Sequence, residues 1–189
     1  MIRDLALLGA RLAVGGGMAA HGTQKAFGWF EGPGPEQAAK MMHGLGFRPG
    51  ETYATLAAWN EIVAGKLIAW GLGGPVGPAM LISGMIVAQA SVHWEKGFFA
   101  QKGGIELPLV YSAAALALAA GDYGALSLDA ALGLRKPLRD PVFTALTLAG
   151  AVAGAIVGLN GRDHSAEGPA TPTFRGKNSP LPEPEKTAS

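Results

Sequence analysis

Ionisable residues that interrupt otherwise apolar stretches are the first candidates for chemistry in this sequence. Glu61 lies in Trp59-Asn60-Glu61, inside the block Ala54 to Leu72, and Arg11 lies inside the block Leu5 to Ala20. In hydrocarbon such groups must be paired, neutralised or wetted, so they mark either a structural lock or a functional centre. At 1.5 Å per residue, Arg11 enters its helix by about 12 Å and Glu61 lies about 15 Å from the matching end of its own. The two are therefore expected to meet at nearly equal depth. Arg11 and Glu61 are the candidate catalytic residues, as an ion pair or as a proton-carrying carboxylate tuned by the arginine. Lys66 is about 140° around the same helix from Glu61; with Trp59 and Trp70 on its side it is expected to be an interfacial anchor.

A second group sits toward the other helix ends. His21 and Lys25 share a helix face at i,i+4 spacing, Gln89 and His93 repeat that spacing, and Glu106 follows the Gly103-Gly104 turn. Antiparallel helices would bring these to one side, where His21, Lys25, His93 and Glu106 could bind a quinone head group, a small oxyanion or an acidic partner surface. The competing reading is interfacial anchoring within an aromatic belt of Trp29, Phe30, Trp94, Phe98 and Phe99. His21, His43 and His93 fall near one surface, so no opposed histidine pair is visible for haem. The chain has no cysteine, which removes thiolate chemistry, cysteine-held iron–sulfur clusters and covalent haem attachment. No metal site is expected. Quinone is the cofactor class implied, with haem a minor alternative, and nothing is expected to be bound covalently.

The elements that must position these residues are membrane helices. Of 189 residues 49% are hydrophobic and 15% charged, well below the roughly one quarter charged in soluble domains. The apolar residues gather into five blocks near membrane-spanning length. Helices are expected over residues 4–29, 52–71, 75–94, 105–121 and 141–160, with a helical piece from Pro35 to Leu45 capping the bundle. The fold expected is an all-α membrane protein: a four-helix transmembrane bundle in residues 1–133, a cytoplasmic linker and fifth transmembrane helix in 134–160, and a disordered, Pro-rich exterior tail in 161–189. The N-terminal block is read as a mature helix, not a cleaved signal. Arg3, Arg11, Arg135, Lys136 and Arg139 place the N-terminus and the 4–5 linker in the cytoplasm of an inner (plasma) membrane, and the C-terminus outside. The net charge of +1 and the absence of a basic tract give no footing for nucleic acid.

Gly150, Gly154 and Gly158 recur every fourth residue in the last block, a small-xxx-small surface that lets another helix approach closely. An intermolecular partner is the favoured reading; Gly9, Ala13 and Gly17 of the first helix are the alternative.

Several separated residues resemble the DoxX/DoxD-like membrane proteins: Arg11, His21-Gly22-x-x-Lys25, Phe27-Gly28, Gly44-x-Gly46, Glu61-x-x-x-Gly65, Gly71, His93, Glu106, Tyr111, and Gly121-x-x-Gly124-x-x-Ser127-x-Asp129. The resemblance spans residues 4–133. It implies a four-helix membrane protein with Arg11, Lys25, Glu61 and Glu106 as a shared polar core, akin to subunits of thiosulfate:quinone oxidoreductase or of respiratory and oxidant-defence complexes. The expected function is an accessory subunit of a membrane redox or respiratory complex, stabilising other membrane subunits through the fifth helix and the tail, contacting lipid, and lining a quinone or lipid pocket. The alternatives are a thiosulfate:quinone oxidoreductase subunit and a small transporter, for which Gly15-Gly16-Gly17 is the candidate helix break.

Overall fold

The computed structural model describes residues 1–163 and contains helices and turns but no strand among them. The tail expected from residue 161 lies, from residue 164 onward, outside the described residues. The α-helices are α1 (Ile2–Phe27), α2 (Gly34–Gly44), α3 (Gly50–Trp70), α4 (Val76–Ala88), α5 (Glu106–Gly121), the short α6 (Leu128–Ala131) and α7 (Arg135–Leu138), and α8 (Pro141–Asn160). Glycines end the first two long helices: Gly28 closes α1 at φ 72, its N–H returning to the Gln24 carbonyl, and Gly71 closes α3 at φ 65. Asp140 caps α8 by accepting from the Phe143 N–H, with Pro141 as its first residue. These are ordinary helix stops and starts, and the expected ranges agree with them to within two residues.

The third expected helix differs. Its α-helical part ends at Ala88, and a π turn (Gln89–His93) and a 3-10 turn (Trp94–Lys96) prolong the rod. Widening the helix there changes which way the last residues face, and His93 is among them.

Five long helices alternate in direction. α1 packs against α3, α3 against α4, and α4 against both α5 and α8, while α2 lies on α3. The core gathers Met18, Ala64, Ile68, Leu81, Met85, Ala115, Leu118 and Tyr123. The α1–α3 seam is closest. A Cβ built on Gly15 would stand 2.5 Å from the Gly65 carbonyl oxygen, one on Gly65 2.5 Å from the Ala19 nitrogen, and one on Gly22 2.6 Å from the Ala58 carbonyl oxygen. Small residues let the two backbones touch and so fix the register of α1 along α3.

α8 is the least buried of the long helices; Ala155 alone is fully covered, while Leu146 and Val157 are 68% and 72% exposed. Gly150, Gly154 and Gly158 face open space. The glycine stripe does not pack on α1: Gly9 also meets nothing, and Gly17 is approached by Tyr111 of α5.

Val76–Lys96 and Pro141–Asn160 are long and apolar enough to cross a membrane, and α5 is apolar but shorter. α1 has 26 residues and α3 has 21, about 39 and 32 Å at 1.5 Å per residue; their charged residues lower their hydropathy, not their reach. α1 runs unbroken through Gly15-Gly16-Gly17, so the discontinuity expected of a transporter is absent there.

Candidate functional site

Three polar centres emerge, distributed along the α1–α3 seam and the segment after α5. The first is Lys25 with Glu61. The Lys25 ammonium donates to Glu61 Oε2 at 2.5 Å, joining α1 to α3, with side chains 19% and 14% exposed. This corrects the expected Arg11–Glu61 pair. The glycine contacts set Gly22 of α1 against Ala58 and Ile62 of α3, so Glu61 lies opposite the last turns of α1. Arg11, fourteen residues from Lys25 in sequence and about 21 Å away along a helix, is opposite Gly71. Depth counted from each helix end misled because α1 continues past the end of α3.

The second centre surrounds Arg11, whose side chain is wholly buried. Its Nη2 donates to the Leu126 carbonyl, and its guanidinium stands 5.7 Å from the centre of the Tyr123 ring, a cation–π arrangement. Gly71 is required twice over here: its φ of 65 is left-handed, and a Cβ would run into Arg11 Nη1 and stand 2.6 Å from Ser127 Cβ. Asp129, 3% exposed, accepts from the Gly73 and Gly74 N–H groups at 2.9 and 2.8 Å and attracts Arg11 electrostatically. Burial, reinforced by Asp129 and opposed by Arg11, pushes the Tyr123 hydroxyl far above its ordinary range, so it stays neutral at physiological pH. Arg11 Nε and Nη1 and Tyr123 Oη make no hydrogen bond to protein. A recess of about 20 Å³ beside Tyr123 and Asp129 has room for a single water.

The third centre is Asp122, at the end of α5. Its carboxylate accepts from Arg135 at 2.6 Å, pairs with Arg139 at 3.0 Å and Arg3 at 3.3 Å, and accepts the Gly124 N–H at 2.8 Å. Burial pushes its pKa up, but the hydrogen bonds from Arg135 and Gly124 and the charges of Arg135 and Arg139 outweigh it, holding the carboxyl below its ordinary value. The same bond raises Arg135. Asp122 adopts φ 143, a conformation uncommon for a residue with a side chain, and its partners hold it there.

His21, Lys25, His93 and Glu106 are not joined to one another by any hydrogen bond or ion pair. His21 is exposed and bonds Gln24; His93 Nδ1 donates to the Gly103 carbonyl; Glu106 accepts from the Ala100 N–H. His93 and Glu106 thus staple the loop between α4 and α5. Among the described residues no three acidic or histidine side chains converge as a metal site. Lys66 lies exposed on α3, in line with exposed Trp59, Val63 and Trp70.

Lys25 does border a cavity. A recess of about 100 Å³ lies between α1, the start of α2 and α3, lined by Lys25, Ala26, Phe27, Pro35, Ala54, Thr55, Ala58 and Trp59.

The DoxX family model matches residues 6–94. These residues, a little under half of the chain, are similar to a DoxX domain. The match takes in α1, α2, α3, α4 and the π turn, so that the Lys25–Glu61 pair and the α1–α2–α3 recess lie wholly within it, and it stops short of α5 and the Asp122 and Asp129 centres. The resemblance expected to run to residue 133 is therefore matched only to 94. Searches among curated proteins and among solved structures return no match. The likeness to DoxX, together with two helices long and apolar enough to cross a membrane and apolar side chains that face outward, points to a membrane protein.

The residues that sequence reasoning did not place are Asp122 and Tyr123, and it gave Asp129 no role. Their signal was the glycine-punctuated run from Gly121 to Asp129, which marks a tight polar turn without saying what it grips.

Proposed function

We propose that the chain is an accessory subunit of a membrane redox or respiratory complex, held in the inner (plasma) membrane as a four-helix bundle of α1, α3, α4 and α5 with α8 as a fifth span. The outward face of α8 carries this reading. Gly150, Gly154 and Gly158 meet nothing within 4 Å, yet lipid gains nothing from such a stripe, whereas a helix with its own small residues can pack there backbone to backbone. The occupant is a transmembrane helix of another subunit. Arg3, Arg135, Lys136 and Arg139 at one end support a cytoplasmic N-terminus, with α8 ending outside. Thiosulfate oxidation has less support, because His93 and Glu106 are each engaged by the loop they fasten.

The test is Gly154→Leu in the native host. The expected result is loss of co-purifying membrane subunits while the isolated chain keeps its melting temperature. Partners retained at wild-type level, or collapse of the chain itself, would overturn the proposal.

A further inference from the structure

We infer that the arginine cluster beyond the end of α5 is a headgroup site for an anionic phospholipid, with Arg3, Arg135 and Arg139 gripping the phosphodiester. This goes beyond the accessory role proposed above; it rests on the chain lying in a membrane, but not on α8 having a partner.

Charge comes first. Three guanidinium groups converge on Asp122, whose side chain is only 4% exposed, so one buried carboxylate faces three cations. The other acidic side chains at this end are taken by backbone: Asp4 accepts from the Ala125 N–H, Asp140 from the Phe143 N–H, and Asp129 from Gly73 and Gly74. Of these carboxylates Asp140 alone is exposed, whereas Arg3, Lys136 and Arg139 all are. What this end turns outward is therefore mainly positive.

The donors are also free to act. Arg3 and Arg139 each commit one Nη to Asp122, and Arg135 Nε is buried without an acceptor. Among the described residues the remaining N–H groups of Arg3 and Arg139 have no protein acceptor. A guanidinium carries five N–H groups in a planar fork that matches two oxygens of a phosphate. The recess of about 20 Å³ beside Asp122 holds no more than a water, so the headgroup rests on the outer side of the cluster with Asp122 beneath it.

Placement selects a lipid as the source of the phosphate. Arg3 lies in the first turn of α1, Asp122 directly follows α5, and Arg139 stands two residues before α8, a helix long and apolar enough to cross a membrane. That is the level at which hydrocarbon gives way to headgroups. Between α5 and α8 the four-residue helices α6 and α7 are too short to cross, and this segment turns Leu126, Leu128, Leu132 and Leu134 outward, Leu132 by 61%. Exposed leucines beside arginines suit a segment lying on a membrane, its apolar side chains among acyl chains and its cations at the phosphates. An acidic peptide would satisfy the arginines and leave the leucines in water. A zwitterionic headgroup brings an ammonium that the cluster repels, so the lipid is one with net negative charge.

The experiment uses the full chain in a mild detergent, with phosphatidylglycerol and phosphatidylcholine of the same acyl chains as probes, bound lipid counted by native mass spectrometry and melting followed alongside. Saturable binding and a raised melting temperature are expected with phosphatidylglycerol, and neither with phosphatidylcholine. Arg3→Gln/Arg139→Gln should weaken phosphatidylglycerol binding about tenfold or more with the lipid-free melt retained, because Arg135 and the Gly124 N–H still hold Asp122. If the pair loosens the fold, Arg139→Gln alone, which leaves Asp122 with Arg3 and Arg135, must still weaken binding severalfold. Equal binding of the two lipids overturns the inference, as does an equal loss in Lys96→Gln/Lys102→Gln, which removes the same charge at the opposite end of the bundle. Displacement of the lipid by inorganic phosphate at matched concentration would make the cluster a free-anion site, and loss of native subunits from the arginine variants with lipid binding unchanged would make it a protein face; either result also overturns it. A chain that stays monomeric in water without detergent would remove the membrane reading itself, whereas a detergent-requiring chain indifferent to lipid charge removes this inference alone.

Discussion

Lys25 Nζ and Glu61 Oε2 stand 2.5 Å apart across the α1–α3 seam, among the described residues the one ion pair that ties these two helices directly. Neither side chain is fully buried, so the pair exchanges partial desolvation for a charge-assisted hydrogen bond. Lys25→Met alone leaves a carboxylate without its partner, and Glu61→Gln alone leaves an ammonium. Each single change is expected to lower unfolding stability more than the double change does, with a coupling of about 1–3 kcal/mol in a double-mutant cycle. Additive losses would show that the two charges do not support each other. Arg11→Met combined with Glu61→Gln serves as the control and should be additive.

Neighbouring glycines on α1 are expected to respond with opposite signs. Gly15→Ala puts a methyl against the Gly65 carbonyl and the Ala69 backbone and should destabilise by about 1–3 kcal/mol through forced separation of the helices. Gly16 meets nothing within 4 Å, so Gly16→Ala gains helix propensity, up to about 1 kcal/mol. Melting temperatures of the two variants in one detergent check the contrast.

That contrast also shows where sequence reasoning stopped. Apolar blocks and their glycine and proline stops delimit the helices, and Pro35 to Leu45 is recognisable as a helical cap because its own pattern is local. Register between helices is not local. Gly15, Gly16 and Gly17 are identical letters, and only the packed structure distinguishes the one that touches α3 from the one that meets Tyr111 and the one that faces outward. Once Gly15 is set against Gly65, Lys25 and not Arg11 is the partner of Glu61. In the same way Arg3, Arg135 and Arg139 read as topology markers, while their convergence on Asp122 requires the start of α1 to be beside the end of α5.

Asp122 predicts the acid response. Its folded-state pKa lies below the ordinary carboxyl value, so the unfolded chain binds its proton more readily. Its contribution is fully present above about pH 5 and is lost as pH falls below about 4, through the folded pKa. Unfolding measured from pH 7 down to pH 3 should show this decline, and Asp122→Asn should be less stable at pH 7 with a flatter acid limb. An unchanged acid limb would remove Asp122 from the account.

Arg11 and Asp129 should be unequal partners. Asp129→Ala strips the Gly73 and Gly74 N–H groups of their acceptor and leaves Arg11 buried without the opposite charge, a loss expected to exceed about 3 kcal/mol. Arg11→Met leaves Asp129 held by two N–H groups and fills the space with apolar atoms, so its effect should be smaller. Urea or detergent unfolding of the two variants ranks them, and the reverse order would refute this view of the centre.

The end of α8 is fastened to the corner between α2 and α3. Asp163 donates its N–H to the Gly46 carbonyl at 2.9 Å and its carboxylate lies 3.3 Å from Arg48, while at its other end α8 starts beyond the arginines that grip Asp122. The helix is thus a beam anchored at both tips and resting on α4 between them. Whatever leans on that beam bears on the corner between α2 and α3, and α2 contributes Pro35 to the wall of the recess beside Lys25, so a load on the least buried of the described long helices reaches that recess through a single short helix.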